Sequence, residues 1–163
     1  MDASFKEIIW RQFGAAIDML ENALTACPHE LWNTPSQFWY NGYHTLFYLD
    51  YYLSDDPDNF LPPAPFTLSE FDPGGLMPDR VYSKAELLDY LQFCRRKFHA
   101  VIAGLTAETA AKRFINKQRN YSVTEMLLYN MRHVQHHTAQ LNLLLRQNKT
   151  EPPRWVSATK LNL

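Results

Sequence analysis

Three histidines crowd the stretch RHVQHHTAQLNLLLRQ, Arg132 to Gln147: His133, His136 and His137. Imidazoles do two kinds of chemistry near neutral pH. They pass protons, and as neutral rings they ligate transition metals. Which of these applies depends on the helix face each ring occupies. At about 100° per residue, His133 and His137 share an inward stripe with Met126, Asn130, Leu141 and Leu144. His136 falls roughly 100° or more from the centre of that stripe and is expected to look outward. Two histidines at i and i+4 can hold one ion, because their rings meet on one face. By itself the pattern is weak, since a buried histidine hydrogen-bonded to a neighbour is its commoner fate.

One helix supplies two ligands at most here, so a metal site needs another element. His44 lies in WYNGYHTLFYLDYYL, an aromatic and apolar segment, where an unpaired imidazole would be costly to bury. Around it on the wheel stand Gln37, Tyr40, Asn41, Tyr48 and Tyr51. Phe38, Leu46, Leu49 and Leu53 occupy the other sides. Hydroxyls and amides around one histidine are the composition of a pocket lining; tyrosines at the wet boundary of a bundle are the other reading. His44, His133 and His137 together would make a three-histidine set. Zinc takes such donors and keeps an open position when only three come from the protein. Nickel suits imidazoles equally, so the ion is expected to be zinc or nickel without a choice between them. Asn130 and Gln140 join Gln37, Tyr40, Asn41, Tyr48 and Tyr51 as candidates to orient a substrate. Asp50 and Glu125 lie off the metal faces, no second carboxylate stands out as a general base, and no catalytic side chain is assigned.

The elements that must position these residues read as helices. Phe5, Ile8, Ile9, Phe13, Ile17 and Leu20 recur at helical spacing over Ser4 to Ala26. The second helix is expected to start at Thr34 as N-cap with Pro35 at its first position, and to stop at Asp55-Asp56-Pro57. The third runs from Ser83 to about Leu105 and the fourth from Ser122 to about Gln147. Each opens on a capping-box pattern, Ser83 with Glu86 and Ser122 with Glu125. A short helical piece is expected over Ala107 to Phe114, and no strand is expected. Gly42 inside the second helix implies close approach of a neighbour, because glycine costs about 1 kcal/mol of helix propensity relative to alanine. The chain therefore reads as all-α, a single domain over residues 1–163.

Residues 54–82 form a loop holding six of the ten prolines. Loops longer than about 15 residues are uncommon in compact bundles and are usually functional or disordered. Phe60, Leu61, Phe66, Leu68, Phe71 and Leu76 argue for anchoring instead. Such a loop could run the length of a bundle as a crossover between parallel helices, or close one end as a lid. The tail, about residues 150–163, could cover the pocket, pair with a second subunit or hang free, and Trp155 favours docking.

Composition narrows the classes. Hydrophobic residues make up 46% of the 163, aromatics 14%, and the formal net charge is -1. Interspersed charges of near-zero sum argue against a nucleic-acid binder. No apolar run approaches the roughly 20 residues of a membrane span, and no secretory signal is visible. Cys27 and Cys94 stand alone and far apart, as expected of free thiols in a reducing cytoplasm.

Taken jointly, these features resemble the DinB-like family of small metal-binding four-helix proteins, which includes bacillithiol- and mycothiol-dependent enzymes. The resemblance rests on one histidine in the second helix, His44, and on H-x-x-x-H in the last long helix, His133 and His137. The family's usual R-G-Q after the second of these is replaced by Thr138-Ala139-Gln140. It spans nearly the whole chain, long loop included. It implies an up-down-down-up four-helix bundle, a divalent ion on the three histidines, and a homodimer. It also implies, for members with activity, a metal that binds and deprotonates a small thiol, which then attacks an electrophile. Metal activation of a thiol or water is thus the first expectation, as a thiol S-transferase or hydrolase. A non-catalytic metal-binding or stress-linked bundle is the second, and a metal-free helical interaction protein the third.

Overall fold

The computed structural model describes residues 2–163. Helix α1 spans Ala3–Ala26, with the Asp2 side chain accepting from the Ser4 N–H at 3.2 Å. It buries Ile9, Trp10, Phe13, Ile17, Leu20 and Leu24, whereas Ile8, expected in the core, is 55% exposed. Cys27 is extended because it precedes Pro28, which disfavours helical backbone. A single-turn helix, α2 (His29–Trp32), follows.

Helix α3 is Phe38–Tyr51, later than expected. Thr34 does not cap it. The Thr34 hydroxyl donates to the Leu31 carbonyl at 3.3 Å and pairs with Ser36 Oγ at 2.6 Å. The Gln37 N–H closes a turn on the Thr34 carbonyl at 2.8 Å. Gln37 then takes φ 52°, a left-handed backbone, so a helix begun at Pro35 could not pass through it. Gln37 is the N-cap and lies outside the helix, not on the face it is expected to share with His44.

Helix α4 is Lys84–Ala103, opened by a complete Ser83–Glu86 capping box. Helix α6 is Val123–Gln147, and there only one half of the device forms, the Glu125 N–H donating to Ser122 Oγ at 3.1 Å. Between them the expected helical piece is shorter: α5 covers Ala107–Ala111. An antiparallel hairpin follows, β1 (Arg113–Ile115) paired with β2 (Asn120–Ser122). This corrects the expectation of no strands. Three residues per strand are too few to show a period of two, and the turn is set by Asn116 Oδ1 accepting from the N–H groups of Gln118 and Arg119. The regular structure of the described residues is otherwise helical.

Helix α1 packs on α4 and α6, and α3 packs on the same two. Contacts between α3 and α4 ascend together: Gly42 against Leu87, Cys94 Sγ on the Leu46 carbonyl, Lys97 on Asp50. Contacts between α1 and α4 descend, from Lys84 on the Thr25 carbonyl through Arg95 on Asp18 and Glu21 to Lys6 on the Ala103 carbonyl. Those between α3 and α6 also descend, from His44 beside His137 to the Leu49 carbonyl on Asn130. A Cβ at Gly42 would stand 2.7 Å from Leu24 and 3.3 Å from Leu87, which is the close approach its presence in a helix implies.

The loop between α3 and α4 is docked. Phe66 stacks on Tyr90 at 4.2 Å, and Phe60 and Phe71 pack against Phe47 and Tyr51. Tyr43 donates its hydroxyl to the Thr67 carbonyl at 2.7 Å and Tyr48 to the Glu70 carbonyl at 3.2 Å. Much of the aromatic content serves here, since a tyrosine both buries a ring and satisfies a loop carbonyl. Leu61, Leu68 and Leu76, expected as anchors, are exposed, and Phe71 is as exposed as Leu68 although one side of its ring packs on Phe47 and Tyr51. The tail docks too, though not through Trp155, which is 70% exposed. Thr159 fills the notch over Gly14 and its N–H bonds the Arg11 carbonyl, while the Trp10 indole N–H donates to the Leu161 carbonyl at 2.7 Å. Among the described residues no helix is long and apolar enough to cross a membrane.

Candidate metal centre

The inward stripe of α6 is set by Met126, Leu127, Val134, Leu141 and Leu145, all buried. Rows one turn apart carry His133 and His137 along the same side, toward α3. Their ring centroids are 4.5 Å apart, and the His44 ring lies 5.4 Å from His133 and 4.7 Å from His137. One ligating nitrogen from each can be chosen so that all three lie within 4.8 Å of one another. The three rings thus form a set that could hold a metal ion. His136 is exposed, as its wheel position required.

Each outer nitrogen has a distinct environment. His44 Nδ1 is 2.7 Å from Glu70 Oε2, so the ring donates to the carboxylate and keeps Nε2 free. His137 Nδ1 is 2.7 Å from Gln140 Oε1, with the same consequence. Ligating histidines commonly donate their second N–H to a carboxylate or carbonyl oxygen, which fixes the tautomer. His133 Nδ1 is buried with no hydrogen-bond partner among the described residues. Burial, with the neighbouring imidazoles of His137 and His44, pulls its pKa down to about 3. Burial and His44 pull His137 down to about 4, against the bond to Gln140. Both rings are therefore neutral at pH 7, the form that ligates.

The donor set fits a divalent transition ion. Neutral imidazoles suit zinc, nickel and their neighbours. Glu70 makes the fit stronger: its side chain is only 4% exposed and its ion-pair partner is His44. A buried carboxylate whose ion-pair partner is the His44 imidazole lacks a permanent countercharge, which a cation on the three rings would provide.

The other candidates divide. Tyr48 stands over the site, its ring 4.8 Å from His44 and 5.6 Å from His133; burial and then the Glu70 carboxylate push its phenol up. Burial and Glu70 raise Tyr40 as well. Gln140 bridges His137 and His136, its Nε2 lying 3.3 Å from His136 Nε2. Asn130 is fully buried, donating to the Leu49 carbonyl at 3.0 Å while its Oδ1 has no partner among the described residues. Asn41 is half-buried one turn before His44, and its carbonyl accepts from Thr45 Oγ1. Tyr51 turns away: its hydroxyl accepts from Asn116 Nδ2 and its ring packs on Phe60, Phe71 and Phe114. Gln37 caps α3 and is exposed. Asp50 is buried between Tyr90 and Lys97, off the site.

Two features escaped the sequence. Glu70 comes from the loop, and its only signal was its place in TLSEFD beside Phe71, which anchors that turn. Arg119, from the hairpin turn, lies over the Tyr52 and Tyr129 rings and bonds the Tyr129 hydroxyl at 2.7 Å. Tyr52 in turn meets the His133 ring edge-on at 5.8 Å. An open cavity of about 560 Å³ reaches His133 between Tyr129, Arg132, Gln135, His136 and Ala139. A second cavity, of about 570 Å³, lies by Lys97, Phe114 and Met126, and none of the three histidines lines it.

Helices that converge three histidines from a second and a last long helix define a class, and the comparison with protein families agrees with it. The model of the DinB superfamily matches residues 12–141. The chain belongs to the DinB superfamily. No curated relative matches it.

Proposed function

We propose that this protein is a divalent-metal-dependent enzyme in which His44, His133 and His137 hold one zinc or nickel ion and a small thiol or water is the nucleophile. The observation that carries the reading is the convergence of three ligating nitrogens within 4.8 Å of one another. Superfamily membership supports it. A bound ion would supply Lewis-acid chemistry, lowering the pKa of a thiol or water beside it. The chain's own residues do the rest. Three protein ligands leave a position open. His133 and His137 are held neutral and so can ligate without first losing a proton, and Tyr48 lies against the His44 and His133 rings. The cavity between Tyr129, Arg132 and His136 reaches His133, though neither His44 nor His137 lines it, and is room for a small thiol or electrophile beside that ring. Thiol S-transfer is the preferred reaction and hydrolysis the variant in which water replaces the thiol.

The same reading takes the four long helices as an up-down-down-up bundle, supported by the ascending α3–α4 contacts and the descending α1–α4 and α3–α6 contacts. It takes the homodimer from the family, with Ile8, Leu143 and Trp155 as exposed apolar side chains available to it; light scattering reads that state.

A second reading, a metal-binding or stress-linked bundle without catalysis, has its own support. The nearest carboxylate, Glu70, is engaged with His44, and the Tyr48 hydroxyl is given to a loop carbonyl. Among the described residues no free general base faces the rings. One experiment separates the readings: elemental analysis of the purified protein and of H44A, H137A and H136A, then turnover of small electrophiles with a panel of cellular thiols. Stoichiometric metal in wild type and H136A, lost in H44A and H137A, is expected. Metal-free wild type overturns both readings, and metal without turnover leaves the second.

A further inference from the structure

We infer that Glu70 is the positioning residue of the candidate metal centre: it aims His44 at the ion and ties the α3–α4 loop to the occupied site. The inference rests on the proposed three-histidine site and adds a side chain from a different part of the chain. Glu70 sits in a 3₁₀ turn, Ser69–Phe71, that is held from several directions. Tyr48 donates to its carbonyl at 3.2 Å, Tyr43 donates to the Thr67 carbonyl at 2.7 Å, and Phe71 packs edge-on against Phe47 and Tyr51. A carboxylate on so constrained a backbone can impose one orientation on a ring. At 2.7 Å from Oε2, His44 Nδ1 must carry the hydrogen, which leaves Nε2 with its lone pair.

The second oxygen strengthens the case. Among the described residues Glu70 Oε1 is buried and makes no hydrogen bond, the Tyr40 phenol beside the carboxylate is a neutral group, and no lysine or arginine pairs with Glu70. A carboxylate left so is costly in a fold that gains nothing else from it. Its value appears when positive charge arrives on the rings. The carboxylate then polarises His44 toward the ion, and the ion stabilises the carboxylate. Removing such outer partners typically weakens metal binding by about 10–100-fold. Because Glu70 belongs to the loop, the same linkage makes loop docking tighter when the ion is bound.

The test uses zinc alone and cobalt(II) alone on metal-free full-length protein. Wild type, E70Q and E70D are titrated with zinc by calorimetry, the visible spectra of their cobalt(II) forms are compared, and the metal-free thermal midpoints are recorded. E70Q should bind zinc about 10–100-fold more weakly and show displaced cobalt(II) bands. Its metal-free midpoint should equal or exceed that of wild type, because a buried charge is gone. E70D, with the charge withdrawn by one methylene, should fall between. Wild-type zinc affinity in E70Q with an unchanged cobalt(II) spectrum overturns the inference and leaves the three-histidine site standing. A lower metal-free midpoint with the bands unmoved also overturns it, because that is a purely structural role. Failure of wild type to bind either ion removes the site itself, and Glu70's part in it.

Discussion

Gln140 clamps His137 one turn away: its Oε1 accepts from His137 Nδ1 at 2.7 Å, and its Nε2 reaches His136 Nε2 at 3.3 Å. One amide thus sets two imidazoles in different states. His137 is left with Nε2 free, whereas the exposed His136 has its Nε2 engaged as an acceptor. The adjacent histidines are separated by this bond as well as by their helix faces.

Gln140 should therefore matter to the metal and His136 should not. Q140A is expected to weaken zinc binding about tenfold, with H136A within a factor of about two, given that it loses only an exposed contact. Zinc titration of the metal-free proteins measures both. Equal losses in the two variants would sink the idea.

The metal-free protein should lose stability as pH falls below 6.5. His133 and His137 have folded pKa values of about 3 and about 4, against 6.5 for a free imidazole. Between pH 6.5 and 4 the unfolded chain binds protons that the folded chain does not, so acid favours unfolding. After allowance for solvent screening the loss is on the order of 1–2 kcal/mol by pH 4. Replacing His133 by Asn should flatten the dependence. Urea midpoints at pH 7 and pH 4.5 for both proteins check this, and parallel slopes would contradict it.

Asp50 and Lys97 form the ion pair that joins α3 to α4 away from the histidines. Asp50 is 1% exposed; Lys97 bonds both its Oδ1, at 2.6 Å, and its carbonyl, at 3.0 Å. Burial raises the Asp50 carboxyl while Lys97 opposes that rise. K97M should cost about 3–5 kcal/mol by leaving the carboxylate unpaired, whereas D50N, which keeps the Tyr90 hydrogen bond within reach and frees Lys97 to solvent, should cost less. Chemical denaturation of each variant decides the order. The reverse order would show that Lys97, not Asp50, is the group that needs its partner.

How far each feature could be read follows from the range of the forces that set it. The helical stripes of α1, α4 and α6, the Ser83–Glu86 cap and the pairing of His133 with His137 are local, repeating every turn, and so are legible in the residues themselves. His44 was legible because an imidazole amid aromatic side chains demands a partner wherever that partner lies. The start of α3 is not legible in the residues, because Thr34-Pro35 suits a helix start while the chain instead closes a hydrogen-bonded turn from Thr34 to Gln37 and passes through a left-handed Gln37. The hairpin at Arg113 to Ser122 was too short to announce itself.

The sequence by itself determined that two histidines face inward on the last helix, that a third faces out, and that an aromatic helix carries their companion. Tertiary structure alone decided that Glu70 reaches His44, that Tyr51 turns toward Phe114, and that Arg119 closes over Tyr52 and Tyr129. Each of these depends on where a loop or turn lands after the bundle forms. Landing is governed by aromatic packing and buried hydrogen bonds between residues tens of positions apart, and such contacts leave no period in the chain.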